Sequence, residues 1–238
     1  MKKPSLSIVV PCRNEEKRLS FHGAKGLSAF LGRIEGLTGK VAEMVLEEDG
    51  STDRTAEVID SFAKADARLR AVHNRGRLGK GGGLVLGVKR SSGSLIVMCD
   101  ADLPVPADDV AKLVSLLSEN DLVIPSRRLS ASQVRDIPFL RRFFSSLFNL
   151  YVNLLLGIGL SDTQIGVKAF RREAFEKVKP TRFKSYSMDL EMLVRARREG
   201  LRVKEMPTRY NNSRETGFNW LTDGPKMLLD VLLMRFSL

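Results

Sequence analysis

The chain is poor in the residues that bind metals through nitrogen or sulfur, and in those that cross-link a fold. Its 238 residues include two histidines, His22 and His73, and two cysteines, Cys12 and Cys99. Two histidines are too few for a zinc site, so any metal must be held by oxygen. Two cysteines exclude a disulfide framework and fit a reducing compartment. Long uncharged apolar runs are also missing. The most apolar stretch, 137–160, carries Arg141, Arg142, Asn149 and Asn153, which excludes a clean transmembrane span. The opening MKKPSLSIVVPCRNEE has too short an apolar run for a signal peptide. The single tryptophan, Trp220, and the lack of a basic motif interleaved with aromatics weigh against a nucleic-acid-binding module.

Positive charge is abundant but one-sided. Residues 1–124 hold 18 Lys and Arg against 17 Asp and Glu; residues 125–238 hold 21 against 11, a net of +10. The second half therefore attracts something anionic: phosphate groups, an acidic membrane surface or nucleic acid.

The first half alternates short apolar runs with helical patterns. Strands are expected at 5–10 (ended by Pro11), 41–48, 69–73, 94–100 and 121–126. Helices are expected at 26–37, 53–66, 80–90 and 107–119. Such alternation predicts an α/β fold with a parallel, doubly wound sheet, in which ligands sit beyond the carboxyl ends of the strands. The second half is less regular: helices at 138–157 and 187–199, strands near 166–170 and 202–206, and a terminal amphipathic helix at 222–236.

The unusual residues cluster at the expected strand ends. Asp100-Ala101-Asp102 places two carboxylates where both can reach one hard cation, Mg²⁺ or Mn²⁺, of the kind a diphosphate leaving group needs. The bland alternative is a solvated turn. Glu48-Asp49-Gly50-Ser51-Thr52-Asp53 reads either as acceptors for a base or ribose, or as a turn with a helix cap. Asn74 to Gly83 is rich in glycine and contains Lys80 at a helix start, which suits a pyrophosphate. It is neither a Walker loop nor a Rossmann GxGxxG. In helix 138–157, Arg141, Ser145, Asn149 and Asn153 recur every four residues on a mostly apolar rod. In a soluble core this stripe would face solvent; at a membrane interface it would face an active site while the apolar side touches lipid. Asp189 and Glu191 are either a helix-start charge pair or the source of a catalytic base.

Together these motifs resemble glycosyltransferase family 2 with its GT-A fold: IVVPCRNEE (8–16), EEDGSTDRT (47–55), NRGRLGKGGG (74–83), MCDADLP (98–104), SDTQIGVKAFRREAF (161–175) and SMDLEMLVRARREGLRVKEMP (187–207). The segment from Asp162 to Phe170 is similar to the dolichyl-phosphate glucose and mannose synthases. The resemblance implies a nucleotide-sugar donor bound by Pro11, Asn14, Glu15, Glu48, Asp49, Gly50, Lys80, Asp100, Ala101, Asp102 and Gln164. It implies a metal on Asp100 and Asp102, and an acceptor phosphate held by Arg127, Arg141, Arg142, Ser145 and Ser146. Asp102, Lys80 and Arg127 would act in catalysis, joined by Asp189 as base if the acceptor is a hydroxyl. The implied reaction is inverting transfer of a hexose from UDP-glucose or GDP-mannose to a polyprenyl phosphate on the cytoplasmic face of a membrane. A soluble glycan or polyol is the other acceptor. Residues 1–220 would form one catalytic domain, with a donor half (1–125) and an acceptor half (126–220), and 221–238 an interfacial helix. Three departures stand out. Glu48 replaces the usual Asp. Pro104 stands where mannose synthases often carry Gln. The QxxRW signature of processive members is absent. The family branch often carries C-terminal transmembrane helices.

Overall fold

The structure is a computed structural model that describes residues 3–74, 76–135, 137–183, 187–211 and 222–237. Arg75 of the glycine-rich loop, Trp220 and the expected junction at 220–221 lie outside the described residues.

In chain order the elements are β1 (Leu6–Cys12), α1 (Glu16–Thr38), β2 (Ala42–Glu48), α2 (Thr55–Ala65), β3 (Leu69–His73), α3 (Gly79–Arg90), β4 (Leu95–Met98), α4 (Ala107–Leu116), β5 (Leu122–Ser126), β6 (Gln133–Arg135), α5 (Phe139–Leu156), β7 (Lys168–Arg171), α6 (Arg172–Val178), α7 (Met188–Arg198), β8 (Val203–Pro207), β9 (Arg209–Asn211) and α8 (Asp223–Ser237). The apolar runs of β1, β2, β4 and β5 are buried almost throughout, as strands covered on both faces must be. They form the centre of a seven-stranded sheet of order β3-β2-β1-β4-β7-β5-β8; β6 and β9 pair separately.

The sheet is parallel except for β7, which runs antiparallel to both β4 and β5, with Met98 opposite Lys168 and Leu122 opposite Phe170. This is the mostly parallel sheet, flanked by helices, expected of the GT-A fold; strand–helix alternation alone did not give the direction of β7. Reversal has a direct effect on the site. The start of β7, not its end, lies at the carboxyl edge of β4, so the segment 162–168 faces the turn that carries Asp100.

Smaller corrections have local causes. β1 runs through Pro11 to Cys12 because β4 pairs with it only as far as Val9, beyond which a missing N–H removes no bond on that side. α1 starts ten residues before the expected 26, bending at Gly23, whose φ is 64°. β6, β9 and the short helix α6 were not anticipated; three-residue strands offer no period to read. Cys12 and Cys99, both buried and unbridged, end β1 and follow β4.

Candidate active site

The ends of β1 and β2 are held by loops that grip each other. Asn14, with a left-handed φ of 54°, accepts from Thr52 N at 2.9 Å and donates its own N–H to Ser51 Oγ at 3.1 Å. Glu15 N donates to Thr55 Oγ1 at 2.8 Å, and Glu16 N to Asp53 Oδ2 at 3.2 Å. Glu48 accepts the N–H of Ser51. Asp49 reaches forward to accept the Gly79 N–H at 2.7 Å, so it caps α3 where the sequence offered no capping residue in place. Gly50, at φ 67°, turns the chain against the backbone of Gly76 and Arg77. Pro11 is partly exposed at this edge.

Beneath them lies a residue that the sequence did not single out. Glu47 is fully buried, and neither carboxyl oxygen has a hydrogen-bond partner among the described residues. Burial, reinforced by Asp49 and Glu48, pushes its pKa up to about 8. The group is therefore neutral at pH 7 and acts as a spacer under α3, where a Cβ on Gly83 would fall 2.1 Å from Glu47 Oε2. A carboxyl whose pKa is raised on folding contributes stability below its unfolded pKa and loses it as pH climbs through the folded value. Urea denaturation is expected to show a loss of about 3 kcal/mol between pH 6 and 9, which Glu47→Gln removes. An unchanged pH slope in that variant would mean that Glu47 titrates normally.

After β4, the turn Asp100-Ala101-Asp102 leads to Leu103, whose φ of 46° is strained for a branched residue. The turn is pinned by Leu103 N to Asp100 O at 3.1 Å, and from outside by Asn211 N of β9 to Pro104 O at 2.9 Å. Lys80 Nζ meets Asp100 Oδ1 at 2.7 Å. Burial would raise Asp100, but Lys80, with Lys168 and Arg18 farther off, holds it below the usual carboxylate range. Glu15 is raised, mainly by burial against the opposing pull of Arg18, with Asp102 and Asp100 adding to the rise. The charges of Asp100 and Asp102 thus reach Glu15. No group of three or more side chains able to ligate a metal occurs among the described residues. The donor set fits a hard divalent cation of the Mg²⁺ type, which takes one or two protein carboxylates and fills its remaining positions with substrate phosphates and water. Gly166 approaches from β7's side so closely that a Cβ there would fall 1.8 Å from Asp100 Oδ2. Gln164 is half-buried in the same segment.

The arginines divide differently from expectation. Arg127 turns inward to a bidentate pair with buried Asp162, at 2.7 and 2.9 Å, and stacks over the Tyr210 ring at 5.1 Å. The pair engages its Nε and Nη2. The next residue, Arg128, reaches Ser146 Oγ at 2.7 Å and Ser145 Oγ at 2.9 Å. Burial and the neighbouring Arg127 and Arg142 lower the pKa of Arg128, with Asp162 opposing. This is a cationic cluster with a deficit of anions. Tyr210 links it to the acidic turn: burial raises the phenol, Arg127 and Arg141 pull it down, and Asp100 and Asp102 push it up.

The polar stripe of α5 faces the protein. Asn149 is buried and accepts from Thr163 N and Oγ1, and Asn153 accepts the Gly159 N–H at 2.8 Å. The opposite stripe is bare: Leu140, Phe143, Leu147, Leu150 and Leu154 are all more than half exposed. α8 packs beside it through Tyr151 Oη to Leu228 O at 3.1 Å, and it too exposes Leu229, Leu233 and Phe236. No helix among the described residues is long and apolar enough to cross a membrane.

Asp189, expected as the base for a hydroxyl acceptor, lies in the first turn of α7. It is 6% exposed, and Lys168 Nζ, itself fully buried, donates to it at 2.6 Å and to Ile165 O at 2.6 Å. Glu191 is also buried. Burial would raise it, but the N–H groups of Phe183, Thr181 and Arg182 outweigh that and hold it below the usual range. It fastens loop 181–183 against Gly81 of α3.

A mostly parallel sheet with an acidic turn after its fourth strand, beside a glycine-rich helix start, defines an enzyme of the glycosyltransferase class. The chain matches the family described as "Glycosyl transferase family 2" over residues 7–179, and it belongs to that family. Among curated relatives it is similar to glycosyltransferase AglD of Haloferax volcanii, 33% identical over 222 residues, which cover 92% of this chain and 35% of the relative. It is likewise similar to dolichyl-phosphate β-glucosyltransferase ALG5A of Trichomonas vaginalis, 30% identical over 234 residues, 96% of this chain and 69% of the relative. The chain thus spans about a third of the first relative's length. Among solved structures, glucosyl-3-phosphoglycerate synthase from Mycobacterium tuberculosis in complex with Mn²⁺, UDP and glucosyl-3-phosphoglycerate superposes with a TM-score of 0.69. It is 21% identical and is matched over 98% of this chain and 80% of that one, which shows the shared fold.

Proposed function

We propose that this chain transfers a hexose, with inversion, from a nucleotide sugar to a polyprenyl phosphate at the cytoplasmic surface of a membrane. The observation that carries the proposal is the inverted amphipathicity of α5: polar stripe inward beside the arginine cluster, apolar stripe outward. Such a helix loses apolar burial in water and gains it at a bilayer surface. Residues 1–125 hold the donor, 126–220 the acceptor, and the terminal helix joins α5 at the interface. The name of the T. vaginalis relative favours glucose on a dolichyl-type phosphate.

Pro11, Asn14, Glu15, Glu48, Asp49 and Gly50 frame the nucleoside end of the donor site. Lys80 exchanges its contact with Asp100 for the diphosphate. Mg²⁺ or Mn²⁺ on Asp100 and Asp102 would neutralise charge on the leaving diphosphate. Arg128, Arg141 and Arg142, with Ser145 and Ser146, orient the acceptor phosphate by charge-assisted hydrogen bonds. Arg127 acts through Asp162 and Tyr210 to fix Arg128 beside them. A phosphate monoester, with a second pKa of about 6, is already ionised near neutrality and needs no protein base. The enclosure of Asp189 by Lys168 is consistent with that chemistry.

The test is transfer of label from UDP-glucose or GDP-mannose into the organic phase, with and without polyprenyl phosphate. Label is expected only with acceptor and divalent metal, and Asp102→Asn is expected to reduce it by about tenfold or more. Label confined to the aqueous phase, on a soluble acceptor, would replace the lipid reading with a soluble-acceptor transferase.

A further inference from the structure

α5, α7 and α8 end together. Their last turns enclose a groove of about 450 Å³ whose walls include Leu154, Val194 and Met234 and whose polar groups are Arg197, Arg198 and Arg235. Among the described residues no acidic side chain lines it. Arg197 donates to Ile158 O at 3.4 Å, while Arg198 and Arg235 are exposed and make no hydrogen bond or ion pair with a described residue. Arginines in a last turn commonly offset the helix dipole, but three helix ends supply only about half a negative charge each. Three guanidinium groups exceed that and leave a cationic groove.

Its position is distinct from the acceptor site. Arg142 and Ser145 lie in the first half of α5 and Leu154 to Leu156 at its end, about 14–21 Å along the axis at roughly 1.5 Å per residue. The groove opens beside the exposed Leu154, Leu233 and Phe236, at the edge of the bare apolar stripes.

We infer that this groove binds the phosphate headgroup of an anionic bilayer phospholipid, separate from the acceptor. The inference rests on the reading that the α5–α8 face lies on a membrane. Charge complementarity selects an anion, and the adjoining leucines and phenylalanine give acyl chains a surface. Occupied at one end by the headgroup and at the other by the acceptor phosphate, α5 is fixed flat against the leaflet.

The probes are vesicles of phosphatidylcholine alone and with about 30% phosphatidylglycerol, read by co-sedimentation. The wild-type chain is expected to prefer the anionic vesicles by on the order of a hundredfold at low salt, at roughly fivefold for each of the three arginines. Each arginine at an anionic surface contributes roughly fivefold, so Arg198→Gln/Arg235→Gln is expected to weaken anionic-vesicle binding about twentyfold and leave binding to phosphatidylcholine unchanged. A control, Lys89→Gln/Arg90→Gln, removes the same charge from exposed residues at the end of α3 and is expected to change it by less than about threefold. Equal losses in the two double variants would overturn the groove in favour of diffuse charge. So would a wild type indifferent to phosphatidylglycerol, or self-association without vesicles that Arg198→Gln/Arg235→Gln abolishes.

Sugar transfer to polyprenyl phosphate in detergent, on the same preparations, separates this from the proposed function, and the groove variant is expected to keep wild-type transfer there. Transfer without anionic preference removes the groove and leaves the function; preference lost in the groove variant, without transfer in any chain, does the reverse.

Discussion

Asparagine at Asp189 is expected to cost about 3–5 kcal/mol of stability, a fall in melting midpoint of roughly 10 °C for a chain of this size. The cause is Lys168. Its ammonium is fully buried, and an amide at 189 can still accept from it beside the carbonyl of Ile165 but no longer carries the charge that balances it. The same variant decides what Asp189 does. A catalytic base would lose turnover at a normal melting midpoint. A partner of Lys168 loses the midpoint while the folded fraction, assayed cold, keeps turnover within about tenfold of wild type. Replacing both ions, as Lys168→Met/Asp189→Leu, is expected to recover much of the stability, since a buried pair removed together leaves no orphaned charge. A wild-type thermal melt for Asp189→Asn with transfer abolished would restore the base.

Alanine at Gly166 is expected to lower kcat/KM about a hundredfold or more, since displacing a reacting group by an ångström already costs that much. The new Cβ would sit 1.8 Å from Asp100 Oδ2, so the carboxylate must rotate away from Lys80 and from the position facing Asp102. Two readouts isolate the cause. Mn²⁺ affinity, titrated calorimetrically, is expected to weaken by on the order of tenfold, while the melting midpoint moves little because the displaced group is a partly exposed side chain. Gly224→Ala, whose Cβ meets nothing within 4 Å, is expected to change neither. Full activity in Gly166→Ala would mean that the orientation of Asp100 is immaterial and would remove it from the proposed metal site.

The donor half was legible because each of its signals is local. Strands buried on both faces read as unbroken apolar runs, and residues with no structural reason to be there, such as Asp100 and Asp102, stand out at their ends. The acceptor half depends on pairings between distant residues. A run such as KAF announces a strand but not its direction, and direction is what carries Gly166 to Asp100. A lysine in that run reads as solvent-facing, yet Lys168 is buried because its counter-ion arrives 21 residues later. Of two adjacent arginines, Arg127 goes inward and Arg128 faces the serines because Asp162, 35 residues on, selects one of them. Glu47 was hidden by its place among acidic residues with evident uses; that it falls within a fully buried strand was its one available signal.

The reversed strand also constrains how the chain comes together in time. β5 follows β4 in sequence, but β7 must enter between them before β5 is joined to the sheet that β4 already shares with β1. A nascent chain that has completed β5 therefore has a gap, not an edge, at the middle of its future sheet, and the carboxylate turn after β4 stays open on one side until Lys168–Arg171 is synthesised. The site is consequently completed late, so a chain interrupted before β7 displays the acidic turn without the wall that shapes it.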